Sequence, residues 1–402
     1  MESEQLQRLM TDVVNVRRWR PDPVAEGDLA QLLMAFGAAP STGQPWELLR
    51  LESSSAKQAA VSATLEPLMT PGTEAAQGWL AEAPVVLAVC AEIRRATARL
   101  GQAGRLIALQ EVGAAIQNLR LMANNLGLRT GVVREFVPDR MREALGLEWF
   151  LEPVALVAIG CSDVYLEYPP RYSVAEFSRV HEPPPPAPSG TERPLPAAPA
   201  APSTPGEGGS GVRSAIYRRR SVRRYSGEPL APGVRERLLE AAIHAPSAGN
   251  MQPWEFMVLE GREAREAAVA ATYSGYFAGP DNRQSWLLEA PLLIAVGVNR
   301  RRTAGRYGDA NARWSVLDVA AAIQNLILTA TEMGLGSCWI GGFKEAEMAR
   351  TLGVPDGVQV VSLVAVGAAA HAPAQRYRMP LELVTHRDRW GVPLYGPESG
   401  RD

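Results

Sequence analysis

The chain has 402 residues, 46% of them hydrophobic, and a formal net charge of −2. This length is enough for two domains with sizeable cores, and the near-neutral charge gives no indication of a nucleic-acid or anionic-membrane partner. Because the three cysteines show no metal-ligand spacing and the N-terminus is polar and acidic, we expect a cytoplasmic protein without a metal site or a membrane span.

Residues 1–182 predict a first unit of mixed helices and strands. The continuous apolar run at residues 85–89 is typical of a strand that is covered on both faces, and Gly127 suits the C-terminal cap of an Ala-rich helix. The predicted elements are, in chain order, a helix over 28–36, a strand after Trp46, a strand over 85–89, a helix over 112–125 and a strand over 154–160.

Residues 183–211 predict a linker. Ten prolines lie between Pro183 and Pro205, and a glycine-rich end follows them. Such a composition cannot bury enough apolar surface to order itself, and its proline part is stiff while its glycine part is flexible. We therefore divide the chain into a domain at 1–182, a linker at 183–211 and a domain at 212–402.

Residues 212–402 repeat the pattern of the first unit. The stretch 222–260 echoes 16–52, and later matching segments stay about 206–208 residues apart. The predicted elements are a helix over 233–244, a strand after Trp254, a strand over 292–298, a helix over 316–333 that ends at Gly334, and a strand over 361–367. A spacing of this length indicates duplication of a whole domain.

Two motifs of the second unit indicate its chemistry. Residues 218–223, RRRSVR, offer guanidinium groups and a hydroxyl, which bind phosphate oxygens well. About 25 residues further on, residues 246–254, PSAGNMQPW, predict a tight polar turn before a strand. Taken alone, the first motif is also typical of a solvated helix face and the second of an ordinary turn.

Together the two motifs resemble the opening of the nitroreductase superfamily of FMN-dependent oxidoreductases, R-R-S-x-R followed by P-S-x-x-N-x-Q-P-W. The resemblance implies an α+β fold of two tandem nitroreductase-like domains, each with a mostly antiparallel central sheet flanked by helices. The family usually forms homodimers, so one duplicated chain is expected to form an intramolecular pseudo-dimer. Association into a further homo-oligomer stays open.

The resemblance also implies the cofactor ligands. The RRSVR segment and a C-terminal R-x-R pair would hold the FMN phosphate, and the glycines of GLGSCWIGGF would let the backbone approach the flavin ring. Two P-S loops and one glutamine on the preceding helix would complete the sites. The implied residues are Arg219, Arg220, Ser221, Arg223, Arg376, Arg378, Ile340, Gly341, Gly342, Gln324, Pro40, Ser41, Thr42, Gly43, Pro246, Ser247, Asn250 and Gln252.

The first copy departs from the family pattern at its phosphate motif. Val13, Val14 and Asn15 stand where the second copy has Arg219, Arg220 and Ser221, and GLRTGVVRE replaces GLGSCWIGG. Family members supply the P-S loop to the flavin of the other subunit. The resemblance therefore implies one intact site, built from the second copy's arginines and the first copy's loop, and one FMN per chain. The second site is expected to be empty or altered, although its Asn250 loop is intact.

The implied reaction is ping-pong transfer of hydride and electrons between NAD(P)H and a small organic acceptor. The flavin carries this chemistry, so no side chain is assigned as catalytic. No Ser-His-Asp, Cys-His or metal constellation in the sequence competes with it. Two alternatives stay open: an FMN-dependent dehydrogenase that oxidises a peptide or natural-product intermediate, azoline-type, with oxygen as acceptor, and a flavin-sequestering protein with little turnover.

Overall fold

The computed structural model describes residues 2–65, 77–101, 103–164, 169–181, 211–273, 283–308, 311–371 and 373–395. The predicted linker lies outside these residues apart from Gly211. The elements of the first half are α1 (Glu2–Thr11), α2 (Glu26–Gly37), β1 (Trp46–Leu51), α3 (Ser54–Ser62), β2 (Val85–Glu92), α4 (Ile93–Leu100), α5 (Ala103–Asn125), β3 (Arg129–Val133), α6 (Pro138–Leu145), β4 (Leu151–Gly160), α7 (Val174–Phe177) and β5 (Ser178–His181).

The second half repeats this order. Its elements are α8 (Val212–Arg218), α9 (Val234–Ile243), β6 (Trp254–Leu259), α10 (Arg262–Ala270), β7 (Leu292–Asn299), α11 (Arg300–Tyr307), α12 (Asn311–Glu332), β8 (Gly336–Ile340), α13 (Glu345–Thr351), β9 (Val358–Gly367) and β10 (Thr385–Arg387). The predicted long helices begin earlier than expected, at Ala103 and Asn311. Both end at left-handed glycines, Gly127 and Gly334, as predicted.

Two five-stranded sheets form the centre of the molecule, in the orders β10-β1-β2-β4-β3 and β5-β6-β7-β9-β8. Neighbouring strands are antiparallel except at the edge pairs β1–β10 and β5–β6. Every residue of β2 is buried, which explains its uninterrupted apolar sequence. The predicted α+β class with two mostly antiparallel sheets flanked by helices is confirmed.

The two halves exchange their last strands. Strand β5 follows β4 in the chain but pairs with β6, so that Val180 lies opposite Val258. Strand β10 follows β9 but pairs with β1, so that Thr385 lies opposite Leu48. Each sheet is therefore completed by backbone hydrogen bonds from the other half, and one strand on each side of the linker belongs to the opposite sheet.

The long helices α5 and α12 pack side by side between the sheets. Gly113 makes this approach close, since a Cβ there would lie 2.9 Å from the Cβ of Ala320. Buried amides also join the helices: Gln117 Nε2 donates to Asn325 Oδ1 at 2.9 Å, and Gln324 Nε2 donates to Asn118 Oδ1 at 2.6 Å. These paired bonds fix the relative position of the halves because an unpaired amide would lose hydrogen bonds in a buried interface.

Residues Ala312–Glu332 are long and apolar enough to cross a membrane by length and composition alone. However, 94% of its 18-residue apolar window is buried inside the protein, where the helix contacts both halves. Its apolar composition is that of a central core helix.

The strand exchange predicts that the halves stay together without a covalent connection. Cleavage of the full chain at a protease site introduced within residues 182–210 should leave two fragments that elute together in gel filtration under native conditions. The reason is that separation would remove β5 and β10 from their sheets and expose the α5–α12 interface. Separation is expected only in denaturant; fragments that elute apart in native buffer would contradict the prediction.

Candidate functional site

A cleft of about 720 Å³ opens between the two halves. Its walls are the C-terminal end of α2, the helix α8 with the segment that follows it, and residues 373–382. Four arginines line it: Arg219, Arg220, Arg376 and Arg378. The two basic motifs, about 150 residues apart in the sequence, therefore meet at one cleft, as the resemblance implied.

Two arginines of this cleft, Arg219 and Arg378, are held where the protein does not fully compensate their charge. Arg219 is 6% exposed, and its Nη2 donates to the carbonyl of Ala38 at 3.3 Å, while its buried Nε has no hydrogen-bond partner among the described residues. Burial, together with repulsion from Arg378 and Arg220, lowers the pKa of Arg219 to about 9. Burial also lowers the pKa of Arg378, whose Nη2 donates to the carbonyl of Ala39 at 2.9 Å. An anion bound here would supply the missing countercharge.

A narrower cavity of about 120 Å³ continues from the cleft, because Ser41 and Ser221 line both spaces. It is lined by Pro40, Ser41, Thr42, Leu100, Ile107, Gln110, Glu111, Ser221, Arg223, Trp339, Gly341 and Gly342. Loop 40–42 comes from the first half, and the serine, arginine and glycines come from the second. The structure thus brings these predicted residues together across the interface.

The second half aligns its motifs through backbone pairing. Val222 donates its N–H to the carbonyl of Ser337 at 2.9 Å, which places the RRSVR segment beside β8. Strand β8 then delivers Gly341 to the narrow cavity. A Cβ on Gly341 would lie 3.0 Å from Ile107 Cγ1, so a larger residue would crowd the wall that the first half supplies.

A buried carboxylate fixes the loop of the first half. Glu111 accepts hydrogen bonds from Ser41 Oγ at 2.6 Å, from the backbone N–H of Thr42 at 2.6 Å and from Thr42 Oγ1 at 2.8 Å. Burial raises the pKa of Glu111, and these hydrogen bonds and Arg378 oppose the rise. Sequence reasoning missed Glu111; the signal was an acidic residue within a buried Ala-rich helix, at the repeat position of Asp318.

Apart from the residues of the second P-S loop, three predicted residues lie away from the cavity lining. Gln324 is buried in the α5–α12 interface, where it bonds Asn118. Gly43 packs against α4, since its Cβ would lie 3.0 Å from the carbonyl oxygen of Arg95. Ile340 is a buried core residue at the end of β8, beside the glycine that does line the cavity.

The second P-S loop lies at the opposite end of the interface. Asp318 Oδ2 accepts the N–H of Ala248 at 3.0 Å, which repeats the contact of Glu111 with Thr42. Asn250 Nδ2 donates to the carbonyl of Pro170, and Gln252 Oε1 accepts the N–H of Tyr172. Pro246, Ser247, Asn250 and Gln252 therefore belong to the repeat-related position and not to the large cleft.

That repeat-related position is filled by protein. Arg134 stands at the repeat position of Gly341, and its Nη2 forms an ion pair with Asp318 Oδ1 at 2.8 Å. Arg120 Nη2 donates to Asn15 Oδ1 at 2.9 Å, and Val13 is buried where the second copy has Arg219. The cavity that remains is about 30 Å³, the space of roughly one water molecule.

The geometry of the intact cleft suits an elongated ligand with an anionic end and a flat end. The arginines lie at the wide end, and the glycines and Trp339 lie at the narrow end. Two serines, Ser41 and Ser221, stand between them as hydroxyl donors or acceptors.

The family model described as the nitroreductase family matches residues 15–161 and 216–368. A protein of Archaeoglobus fulgidus described as an NADH dehydrogenase/NAD(P)H nitroreductase is 34% identical over 156 residues, which are 38% of this chain and 82% of that protein. An NADPH-flavin oxidoreductase of Vibrio harveyi is 25% identical over 183 residues, 44% of this chain and 72% of that protein.

A crystal structure of a nitroreductase-like protein from Anabaena variabilis matches with a TM-score of 0.61 over 91% of both chains, at 15% identity. The fold of both halves therefore occurs within one solved chain. The curated relatives named above match about one half of this chain, as expected for a duplicated domain.

Proposed function

Because the chain belongs to the nitroreductase family, and is an oxidoreductase, we propose that it uses FMN to transfer electrons from NAD(P)H to a small organic acceptor. The observation that carries this proposal is the continuous cleft between the halves, with four arginines, of which Arg219 is buried, at one end and a glycine backbone at the other. The Vibrio harveyi relative, whose name specifies NADPH and flavin, supports the choice of cofactor and reductant.

The residues present fit FMN. The buried Nε of Arg219, which has no partner among the described residues, and the neighbouring Arg220, Arg376 and Arg378 would hold the phosphate dianion. Ser221 and Ser41 would contact the ribityl chain between the two cavities. Bound FMN would supply hydride and electron transfer at its ring.

The protein's own contribution is positioning and exclusion of water. The backbone of residues 341–342 would lie along the flat end of the ligand, and Leu100, Ile107 and Trp339 give this end an apolar wall. Glu111 holds Ser41 and Thr42 in place from the first half. The two half-reactions would follow in ping-pong order if the reductant and the acceptor bind in turn against the same apolar wall.

We further propose one FMN per chain. In the repeat-related position the Arg134 side chain pairs with Asp318, and valines replace two of the phosphate-binding arginines. The first half then serves as the wall of the intact site. The domain assignment proposed here keeps 1–182 as the degenerate copy and 212–402 as the copy with the phosphate motifs, with β5 and β10 exchanged between their sheets.

This proposal predicts that the purified protein contains FMN and chain in a ratio near one, and that anaerobic NADH or NADPH bleaches the flavin band. Absorption spectra before and after addition of each nicotinamide provide both measurements. A ratio near two would contradict the filled second site. Bound flavin that neither nicotinamide reduces would contradict the reductase function and favour a substrate-oxidising dehydrogenase or a sequestering protein.

A further inference from the structure

The wide end of the cleft is larger than the phosphate of FMN requires. The space beside the arginines measures about 720 Å³, against about 120 Å³ at the narrow end. At about 30 Å³ for each water-sized group, the phosphate and the ribityl chain next to it would together occupy on the order of 300 Å³. The remaining volume is within the range of about 300–1,000 Å³ that small-molecule sites have.

Small residues of the first half create this space. Gly37 and Ala38 line the cleft, whereas the repeat positions in the second half carry Ile243 and His244. A Cβ added to Gly37 meets no atom within 4 Å. Since these small residues face the intact cleft and larger ones stand at the repeat-related position, the extra space belongs to the intact site alone.

The outer wall of this space is apolar and partly aromatic. Met34, Ile216, Tyr217 and Leu381 line it, and Met34 remains 44% exposed. A half-buried tyrosine ring beside apolar side chains is suited to stacking with a flat heteroaromatic base.

The charge of the cleft is also greater than one phosphate neutralises. Four arginines line it, and Glu382 is the only carboxylate among its described lining residues. A phosphate dianion leaves positive charge in the cleft. A second phosphate group linked to a flat base would match both this charge and the apolar wall.

We propose that the wide end of the cleft, between Gly37, Tyr217 and Leu381, binds an adenosine phosphate group next to the flavin phosphate. This inference rests on the proposed flavin site. The same chemistry has two sources: the adenylate half of FAD, if the cofactor is the dinucleotide, or the adenosine phosphate end of NADP(H).

The test compares Gly37→Trp with Gly27→Trp, both in the full chain. The first change fills the cleft, and the second adds the same ring at an exposed position of the same helix, where a Cβ also meets no atom within 4 Å. Flavin-free protein is titrated with FMN and with FAD by quenching of flavin fluorescence. FMN-loaded protein is titrated with NADP⁺ by calorimetry.

We expect the affinity for FAD or for NADP⁺ to be at least tenfold lower in Gly37→Trp than in Gly27→Trp, while the affinity for FMN differs less than twofold. Loss of FAD binding identifies the cofactor as the source, and loss of NADP⁺ binding identifies the reductant. Tyr217→Ala should lower the affinity for the same ligand. This second variant removes a side chain instead of adding one, so agreement between the two excludes a folding defect of the tryptophan variant as the cause. Equal affinities of the two tryptophan variants for all three ligands, or an equal loss of FMN and FAD, would overturn the inference. If the unaltered protein binds neither flavin, the proposed function itself fails.

Discussion

Replacement of Arg219 by leucine is expected to weaken FMN binding by about 10- to 150-fold. A hydrogen bond to a charged group contributes about 1.5–3 kcal/mol, and about 1.4 kcal/mol corresponds to a factor of ten in affinity. Arg219 is the most buried of the arginines in the cleft, and its Nε has no partner among the described residues. Titration of flavin-free protein with FMN, followed by fluorescence quenching, measures the change.

The stability of the flavin-free variant separates lost binding from misfolding. Burial lowers the pKa of Arg219 to about 9, which means that the fold disfavours its charge when no anion is bound. Arg219→Leu should therefore leave the melting temperature of the flavin-free protein unchanged or higher, and FMN should raise that temperature less than it does in the unaltered protein. Arg218→Leu is the matched control, because Arg218 is exposed and lies outside the cleft lining. Equal FMN affinities for both variants would show that the arginine cleft does not hold the phosphate.

The fold could be predicted from local apolar patterns and from the repeat. The runs at β2 and β7 are long, apolar and buried on both faces, so a short window of sequence specifies them. The exchanged strands could not be found this way. Strands β5 and β10 have four and three residues, carry polar side chains and pair with strands far away in the sequence.

The candidate site was predictable where a motif matches a chemical requirement. Arginines match the requirement for binding an anion, and glycines match the requirement for a close backbone contact. The structure places both around one cleft. Residues that act through tertiary contacts were not predictable. Glu111 holds a loop that lies 70 residues earlier, and Gln324 bonds an asparagine 206 residues away. The local sequence marks Glu111 as an unusual acidic residue in an Ala-rich helix, but it does not identify the distant partner of either residue.

The Arg134–Asp318 ion pair gives the second large expected effect, on stability. Asp318 is 2% exposed, and removal of one partner from a buried pair costs about 3–5 kcal/mol because the other charge stays buried without compensation. Arg134→Ala should lower the free energy of unfolding by this amount, measured by denaturant titration. Adding Asp318→Asn to this variant should recover part of the loss, although the contact with the N–H of Ala248 becomes weaker.

The pH dependence of the Arg134→Ala variant tests the cause. Burial raises the pKa of Asp318 and Arg134 opposes the rise, so the pKa should increase further in the variant. An acid whose pKa is higher in the folded state binds more protons there, so stability falls as pH rises through that pKa and recovers on acidification. The loss of unfolding free energy in Arg134→Ala should therefore be smaller at about pH 5 than at about pH 7. Arg262→Ala, which breaks an exposed pair with Glu266, should change stability by less than about 1 kcal/mol at either pH. If Arg134→Ala loses no more unfolding free energy than this control, the ion pair does not stabilise the filled repeat-related position.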